Sequence, residues 1–473
     1  MKSLESDTIA ALATAPGKSG VCVVRISGPL AKDIATSLLG YEPKPRYAHY
    51  GNFTAADGQL LDQGIGLFFA GPASFTGEDV FEIQGHGGTS VQNLLLSRAL
   101  ELGARLARPG EFSERAFLND KIDLVQAEAI ADLIDASSTQ AAQSALRTLS
   151  GEFSNLVRQL VSNLTKTRVN IEAAIDFSDE DIDVISDTRV HDSLEQLSLQ
   201  LATTLQQANQ GSLLKEGMQV VIAGKPNAGK SSLLNALSGS DTAIVTDIAG
   251  TTRDLLSERL QIDGMPIHIT DTAGLRETDD VVEQEGVKRA SAAMRASDRI
   301  LLVIDAAQPR PEGLTLCLDD IPTLLQEQPE LLGKTLVVWN KADLLDDTNF
   351  GHLSCALPKE LFSQASKTQA VESVVLSAKN QNGLDTLRDI LKRAIGFNAS
   401  AEGAFVARER HLVALRCAAS LVHSAQKALI DGQPFELAAE DLRLAQQELG
   451  RITGEVSSDD LLGEIFSNFC VGK

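Results

Sequence analysis

The hydrophobic residues before residue 120 follow a strand pattern broken by turns. Apolar runs of strand length occupy residues 21–26, 63–69 and 79–83, and turn-forming residues separate them. One helical pattern follows at residues 91–102. Short strands mixed with a helix predict a small α+β domain at residues 1–119.

A glycine-rich segment comes directly after the third of these strands. Its sequence is Gln84-Gly85-His86-Gly87-Gly88. Because glycine favours turns, the segment predicts a loop, which either approaches a ligand closely or is a plain turn.

The pattern from residue 121 to residue 210 is that of packed helices. Proline is absent there, and apolar residues recur every three or four positions. Similar patterns return at residues 408–429 and 435–452. The acidic residues 176–183 predict a solvated loop, with a metal site as the alternative.

Strand and helix patterns alternate between these helical regions, which predicts a doubly wound α/β domain. Because helical stretches flank it, we expect one all-helical domain, residues 120–215 and 397–473, with the α/β domain inserted at residues 216–396. Its strands are predicted at residues 219–223, 257–262, 266–270, 299–304, 335–339 and 374–376.

The chain has 473 residues and a formal net charge of −22 at pH 7. This charge repels nucleic acid, so an RNA contact would need a local basic patch or a partner protein's surface. The scattered cysteines form no CxxC pair, as expected in a reducing compartment, and no apolar run is long enough to span a bilayer. The first residues are acidic where a signal peptide would be basic. We therefore expect a cytoplasmic protein without a membrane anchor.

A P-loop pattern follows the first strand of the α/β region. In a P-loop, backbone amides surround the phosphate oxygens, a lysine adds positive charge and a hydroxyl binds Mg²⁺. These roles fall on Lys230 and Ser231, which predicts a nucleoside triphosphate site. The motif is Gly224-Lys225-Pro226-Asn227-Ala228-Gly229-Lys230-Ser231.

Further motifs follow in the order typical of GTPases. One is a switch whose threonine reaches Mg²⁺, and another ends a predicted strand, where its carboxylate can hold a water bound to Mg²⁺. The last two would contact the base. In order, they are Gly250-Thr251-Thr252-Arg253-Asp254, Asp271-Thr272-Ala273-Gly274, Asn340-Lys341-Ala342-Asp343 and Ser377-Ala378-Lys379.

Asp343 indicates which base is bound. Its carboxylate can accept hydrogen bonds from both N1–H and the 2-amino group of guanine, whereas adenine lacks this pair of donors. ATP would leave the carboxylate unpaired at a cost of about 1–3 kcal/mol per missing bond, so the motif selects GTP. A Ras-type glutamine is absent because Leu275 follows Gly274, and the catalytic group is therefore expected in the acidic residues 277–285.

Together with two other segments, these motifs resemble the MnmE (TrmE) family of tRNA-modification GTPases. One segment is residues 108–119, Arg-Pro-Gly-Glu-Phe-Ser-Glu-Arg-Ala-Phe-Leu-Asn, and the other is Cys470-Val471-Gly472-Lys473. The resemblance covers almost the whole chain. Both segments are more specific than the GTPase motifs, which many families share.

The resemblance implies an amino-terminal domain that binds 5-formyl-tetrahydrofolate or a related one-carbon folate and forms a homodimer. It implies an inserted G domain whose GTP hydrolysis is stimulated by potassium. It also implies a flavoprotein partner, MnmG (GidA), in a heterotetramer. With this partner the family adds a carboxymethylaminomethyl group to carbon 5 of the wobble uridine of certain tRNAs, which are substrates of the complex.

The resemblance also implies the site residues. Folate would contact Arg25, Glu82, Lys121 and Lys473. Potassium would be held by Asn227, Thr246, Ile248 and Thr251, and Mg²⁺ by Ser231 and Thr252. The catalytic residues would be Glu283, Lys230 and Asp271. The residues that bind GTP would be Asn227, Ala228, Gly229, Lys230, Ser231, Ser232, Thr246, Asp247, Ile248, Ala249, Gly250, Thr251, Thr252, Asp271, Thr272, Ala273, Gly274, Asn340, Lys341, Ala342, Asp343, Ser377, Ala378 and Lys379.

The residues also leave room for a different class, a regulatory or ribosome-assembly GTPase that acts as a binding switch. Era-type members of that class carry a carboxyl-terminal RNA-binding module with a GxxG loop. Here the carboxyl-terminal pattern is helical and ends in Cys-Val-Gly-Lys, which favours the modification enzyme.

Overall fold

The chain forms two compact units in the computed structural model. One contains Met1–Ile134, Leu146–Thr203 and Val413–Lys473, and the other contains Asp135–Ala145 and Thr204–Leu412. The residues that the structure describes are 7–15, 17–136, 138–176, 188–238, 257–262, 265–271, 291–309, 314–345, 351–356, 358, 370–394, 405–455, 459–467, 469 and 472.

The first unit begins with a six-stranded sheet. Strand β3 lies at one edge and β6 at the other, in the order β3-β4-β5-β2-β1-β6. Alternate residues of each strand face the helices α1 and α2, and the core contains Val24, Phe81 and Ile83. The elements are β1 Ile9–Leu12, β2 Ser19–Ser27, α1 Ala31–Leu39, β3 His49–Thr54, β4 Leu60–Phe69, β5 Val80–Gly87, α2 Thr89–Glu101, β6 Arg105–Leu106 and α3 Glu111–Leu118.

The glycine-rich segment after residue 83 is not the predicted loop. Strand β5 continues through Gly87 and pairs with β2 there. Its glycines are needed because neighbouring groups come close: a Cβ on Gly85 would lie 2.4 Å from a carboxylate oxygen of Asp62, and one on Gly87 would lie 2.0 Å from the hydroxyl of Ser19. Glycine here permits close packing within a sheet rather than a turn.

Long helices follow, as the apolar spacing predicts. Helix α6 packs along α12, and Arg168 of α6 donates a hydrogen bond to Gln446 of α12 (2.8 Å). Most of the acidic segment 176–183 lies outside the described residues. The helices are α4 Leu124–Ile134, α5 Thr139–Leu149, α6 Glu152–Asp176, α7 Thr188–Glu216, α11 Glu409–Ile430, α12 Phe435–Thr453 and α13 Asp459–Ser467.

A seven-stranded sheet forms the centre of the second unit, in the order β12-β13-β11-β10-β7-β9-β8. Strand pairs β12/β13 and β8/β9 are antiparallel and the others are parallel, as in a doubly wound fold. Residues 291–296 are also helical. The named elements are β7 Met218–Ala223, α8 Lys230–Ser238, β8 Ser257–Ile262, β9 Met265–Asp271, β10 Arg299–Asp305, α9 Thr323–Glu327, β11 Thr335–Asn340, β12 Gly351–Ala356, β13 Ala370–Val375 and α10 Leu384–Ala394.

Strand β12 is not predicted from the sequence. It lies in the connection between the two base-binding motifs and pairs with β13 from Gly351 to Ala356. Cys355 is buried against Val371 in the core on that side of the sheet. At least part of this connection therefore extends the sheet by one edge strand.

The two ends of the α/β region meet closely. Gly211 of α7 lies so near the backbone of Phe405 that a Cβ on Gly211 would be 1.7 Å from the Phe405 carbonyl oxygen. Such an approach requires glycine. No helix among the described residues is long and apolar enough to cross a membrane.

Candidate functional site

The P-loop connects the end of β7 to the start of α8. Its backbone needs glycine or asparagine at three positions with positive φ: Gly224 (141°), Asn227 (62°) and Gly229 (93°). A Cβ on Gly224 would also lie 2.2 Å from the Val303 carbonyl oxygen of the neighbouring strand β10. The loop is therefore bent tightly over the end of the sheet, with the amino terminus of α8 behind it, as phosphate binding requires.

Lys230 is the first residue of α8, and its side chain is buried. Its ammonium group donates to the carbonyl oxygens of Gly224 (2.8 Å) and Lys225 (2.9 Å), at the start of the same loop. The side chain thus curls back over the loop and holds a positive charge at its rim. Ser231 and Ser232 follow on the first turn of α8, and both are exposed.

Asn340 joins the P-loop to the base-binding motifs. Its amide nitrogen donates to the Ala228 carbonyl oxygen (3.1 Å), and its amide oxygen accepts from the backbone of Ala378 (3.0 Å). Ser377 donates its hydroxyl to a carboxylate oxygen of Asp343 (2.6 Å), which orients that group. The structure therefore brings together three motifs, of which the P-loop precedes the other two by more than a hundred residues, while Lys379 beside them is exposed.

Two carboxylates that the sequence analysis does not single out support this site. Asp305, at the end of β10, accepts from the ammonium of Lys341 (2.7 Å), and Asp320 lies 3.5 Å from the ammonium of Lys225. The only sequence signal for Asp305 is its position at the end of a parallel strand. In an open α/β sheet, that edge is where ligands bind.

Most residues of the predicted switches lie outside the described residues. These are Thr246, Asp247, Ile248, Ala249, Gly250, Thr251, Thr252, Thr272, Ala273, Gly274 and Glu283. Asp271 is the last residue of β9 and pairs with Ile222 of β7, two residues before the P-loop begins. Its backbone is thus beside the phosphate-binding loop.

The described residues can be tested for the implied metals by their donor atoms. Asn227 and Ser231 offer an amide oxygen and a hydroxyl, the hard oxygen ligands that K⁺ and Mg²⁺ prefer, and both are exposed. The donor set therefore fits both ions. No cluster of three or more histidine, cysteine or acidic side chains suited to a metal occurs in the described part of the chain.

Arg25 lies in a polar and aromatic setting in the amino-terminal sheet. It pairs with Glu82 across strands β2 and β5 (2.9 Å), and its guanidinium lies over the rings of Phe75 (5.6 Å) and Phe112 (5.8 Å). It also donates to the carbonyl oxygen of Gly472 (3.5 Å). The structure therefore brings Gly472 to the predicted folate residue Arg25, although Lys473 itself is not described.

Lys121 approaches the same region from the other side of the loop at residues 75–78. A Cβ on Gly77 would lie 3.1 Å from Cε of Lys121, and Asn119 donates to the Thr76 carbonyl oxygen (2.7 Å). Lys121 thus lies beside the loop at residues 75–78, and the ring of Phe75 in the same loop contacts Arg25. Phe75 belongs to no sequence motif, whereas Phe112, which is fully buried, lies in the specific segment 108–119.

A buried ion network holds this loop in place. Arg115, 3% exposed, binds Glu78 (3.1 Å), Asp7 (2.6 Å) and Glu111 (3.2 Å), and Arg105 also binds Glu111 (2.6 Å). Burial by itself would raise the pKa of Glu111, but hydrogen bonds from Arg105 and from the Arg108 backbone hold the pKa below its usual value. The same balance lowers the pKa of Asp7.

This combination of a P-loop, linked guanine-binding motifs and a doubly wound sheet defines a P-loop GTPase. The family model described as "GTP-binding protein TrmE N-terminus" matches residues 8–121, and the "MnmE helical domain" model matches residues 124–470. The chain belongs to the MnmE family of tRNA modification GTPases.

Two relatives named tRNA modification GTPase MnmE are similar to this chain over nearly its whole length. The chain is 54% identical over 475 residues to a tRNA modification GTPase MnmE of Pseudomonas paraeruginosa, with 99% of each chain covered. It is 55% identical over 470 residues to that of Stutzerimonas stutzeri, again with 99% of each covered. The G domain of the FeoB iron transporter of T. maritima is 23% identical and matches 38% of this chain and 96% of its own, with a TM-score of 0.24.

Proposed function

We propose that this protein hydrolyses GTP in the step that adds a carboxymethylaminomethyl group to carbon 5 of the wobble uridine of certain tRNAs. The observation that carries the GTPase part is the bridge made by Asn340, which connects the phosphate loop with the oriented carboxylate of Asp343. Family membership along the full chain supports the tRNA part. The chemistry at carbon 5 would require a flavin-dependent partner of the MnmG type.

The residues of the site have distinct roles in this proposal. Lys230 and the loop amides bind the phosphates, Asp343 selects guanine, and Ser231 with Thr252 would hold Mg²⁺. Asn227, with oxygens of Thr246, Ile248 and Thr251, would hold K⁺. When bound, K⁺ would supply positive charge between the β- and γ-phosphates, which an arginine supplies in other GTPases. Glu283 would orient the attacking water, because Leu275 cannot.

The role of K⁺ can be tested by steady-state GTP hydrolysis in matched potassium and sodium salts. Wild-type protein should turn over faster in K⁺, and Asn227→Ala should lose the difference. Because Asn227 has a positive φ, Asn227→Gly is the better variant: it removes the amide oxygen without backbone strain. Equal rates in the two salts, or a glycine variant that still prefers K⁺, would exclude this mechanism.

The amino-terminal pocket would bind a one-carbon folate, 5-formyl-tetrahydrofolate or a related species. The pteridine ring would stack on Phe75, which is exposed, while Arg25, Lys121 and Lys473 would attract the anionic glutamate tail. Glu82 could accept hydrogen bonds from the pteridine nitrogens. The exposed ring of Phe75, the cations Arg25 and Lys121 and the carboxylate of Glu82 are groups of the kinds that such a ligand requires.

We further propose a homodimer that joins the MnmG-type flavoprotein in a heterotetramer in the cytoplasm. Sedimentation velocity of the protein alone and mixed with the flavoprotein would test both assemblies. A monomer at all concentrations, or two species that sediment separately, would contradict them.

The central experiment is mass spectrometry of wobble uridines from cells that lack this protein. The modified nucleoside should disappear and return when the gene is restored. Restoration with Asp343→Ala should fail, because the site would lose its guanine contact. Unchanged wobble nucleosides in the deleted strain would overturn the proposed function.

A further inference from the structure

All three tyrosines of the chain lie within ten residues of the amino-terminal domain. They are Tyr41, Tyr47 and Tyr50, and they are 46%, 59% and 69% exposed. The chain has one tryptophan, Trp339, which is fully buried in the second unit. The large amphipathic aromatic side chains of this protein are therefore concentrated at one exposed place.

The segment that carries these rings is held in one conformation. The buried His49 ring lies between Tyr41 (5.5 Å between centroids) and Tyr47 (5.0 Å), and its Nε2 accepts a hydrogen bond from the Lys44 backbone (2.9 Å). Pro43 and Pro45 further restrict the backbone. Because the contacts with His49 restrict the Tyr41 and Tyr47 rings, a ligand that stacks on them would lose less entropy in binding than on freely rotating side chains.

Two cations stand between the tyrosines. Lys44 and Arg46 are both exposed, and Arg46 is anchored by hydrogen bonds from its backbone to Phe68 (2.7 Å) and from its guanidinium to the Ala73 carbonyl oxygen (2.6 Å). The acidic residue of the segment, Glu42, is already paired with Lys32 (2.5 Å). Residues 41–50 thus carry two basic side chains and one acidic side chain, in a chain whose formal net charge is −22.

Exposed rings with cations between them match the chemistry of unpaired nucleotides. Bases of any sequence can stack on tyrosine, and Lys and Arg attract the phosphates that connect those bases. An acidic peptide would use the cations but would leave the ring faces unmatched. An aliphatic protein surface would use the rings but would bury two charges without partners.

We propose that the tyrosine surface, defined as Tyr41, Lys44, Arg46 and Tyr47, binds unpaired nucleotides of the tRNA substrate. Bases stack on Tyr41 and Tyr47, and Lys44 and Arg46 contact the phosphates. Tyr50 lies beside this surface, on the edge strand β3. The inference rests on the proposed tRNA substrate and adds the place where this subunit contacts it.

Because all three tyrosines lie in this part of the molecule, labelled tyrosine can report RNA binding there. Full-length protein labelled with 3-fluorotyrosine should give three fluorine signals, all from this part of the molecule, and single Tyr→Phe variants assign them. Titration with a tRNA anticodon stem-loop should shift the Tyr41 and Tyr47 signals. A fully paired hairpin stem of the same length should shift them much less, because its bases are not available for stacking.

Variants separate stacking from charge. Tyr47→Leu should weaken stem-loop binding about tenfold, whereas Tyr47→Phe, which keeps the ring, should bind like wild type. Lys44→Ala should reduce the slope of log affinity against log salt by about 0.7. Thermal unfolding of each variant checks that the domain is intact.

Four results would overturn the proposal. One is stem-loop binding that leaves all fluorine signals in place, and another is no stem-loop binding at all. The third is a set of signals that shift on dilution of the protein alone and not with RNA, which would assign the surface to a second copy of the chain. Modified wobble nucleosides that persist in cells carrying Tyr47→Leu, with unshifted signals in vitro, would refute the surface and leave the proposed function intact.

Discussion

Lys341 has a backbone conformation that lysine rarely adopts, with φ of 64°. This conformation turns the side chain toward the P-loop, where Cε would lie 4.0 Å from a Cβ placed on Gly229, and the ammonium binds Asp305. A left-handed residue of this kind costs free energy, which its surroundings must offset. We infer that the ion pair with Asp305 is part of that offset and positions Lys341 for the nucleotide.

Asp305→Asn tests this role. One side-chain oxygen of Asp305 also caps the turn at Ala307 (3.0 Å), and asparagine can keep that bond while it loses the charge. Because the pair is partly exposed, its contribution is at most about 1 kcal/mol, so GDP affinity measured by calorimetry should fall about two- to fivefold. Asp305→Ala should lower the GDP affinity further, because alanine also removes the hydrogen bond that caps the turn at Ala307. An asparagine variant with wild-type affinity would show that the pair is incidental.

Asp343→Asn should change the preferred base. The Ser377 hydroxyl holds one oxygen of Asp343 in place, so the substituted amide should occupy the same position. The amide can donate to the extra carbonyl oxygen of xanthine, and therefore xanthosine triphosphate should gain affinity while GTP loses it. Competition binding with both nucleotides measures the change, and equal losses would refute the guanine assignment.

Site residues that belong to a short motif can be predicted from the sequence. Site residues whose partners lie far away in the chain cannot. The P-loop, Asn340 and Asp343 are recognised because each motif has its own spacing within a few residues. Asp305 and Phe75 act through partners 36 and 50 positions away in the chain, Lys341 and Arg25. No spacing rule joins such pairs, so only the fold can reveal them.

Among the elements, most strands with long β-branched or apolar runs are predicted, whereas the strands β1, β3, β6 and β12 are not. Strand β12 has the sequence Gly-His-Leu-Ser-Cys-Ala, which has little intrinsic preference for a strand, and it forms by pairing at the edge with β13. The end of β5 is predicted to be a loop, and this prediction is wrong. Its glycines look like a turn, but close neighbours such as Asp62 explain them.

The close packing at Gly85 gives a stability prediction. Gly85→Ala would force a Cβ to within 2.4 Å of Asp62 and 2.9 Å of Leu95, so the free energy of unfolding should fall by about 1–3 kcal/mol. Gly20→Ala in β2 is the control, because a Cβ there has nothing within 4 Å. It should change stability by less than about 0.5 kcal/mol. Denaturation followed by tyrosine fluorescence reports this domain selectively, and equal effects of the two changes would contradict the packing account.

Helix α3 brings Glu111 into the buried ion network, which gives the domain a defined response to acid. The folded pKa of Glu111 lies below its ordinary value of 4.5, so its contribution to stability is complete above that value and is lost as the pH falls through the folded pKa. Glu111→Gln should lower the free energy of unfolding at pH 7 by about 3–5 kcal/mol and flatten its decline below pH 4.5.

The control for that experiment is Glu101→Gln, at an exposed pair with Arg98. It should cost less than about 1 kcal/mol and keep the wild-type pH dependence. If the Glu111 variant also kept the full decline below pH 4.5, other carboxylates would have to account for the acid response.

For the whole molecule, the predicted plan of an α+β domain, packed helices and a doubly wound domain is confirmed as a fold class. This plan can be predicted because each of three long regions has its own hydrophobic pattern. The first has short strand runs, the second has helical spacing, and the third alternates between the two. The exact limits of the domains stay predictions, since helix α7 runs unbroken from the helical region to within two residues of β7. A continuous helix gives no composition change at which to place a boundary.

Two separate sites should respond separately to mutation. Arg25 belongs to the first compact unit and the P-loop to the second, so Arg25→Ala should weaken binding of 5-formyl-tetrahydrofolate while the GTP hydrolysis rate stays near wild type. Arg25→Lys keeps the charge but loses the planar group over Phe75 and Phe112. Its folate affinity should therefore lie between those of the wild type and Arg25→Ala. Calorimetry with folate and a GTPase assay decide the matter. Normal folate affinity in the alanine variant would show that the pocket is elsewhere.

The contact between Gly211 and Phe405 has a consequence for the history of this chain. Since these two points touch, the backbone that precedes the GTPase could be ligated to the backbone that follows it with hardly any displacement. A single recombination event could therefore have introduced the GTPase region into an older protein with little displacement of its backbone. By the same reasoning, a chain in which Gly211 is joined directly to Phe405 should still fold, and thermal unfolding of that shortened protein would test it.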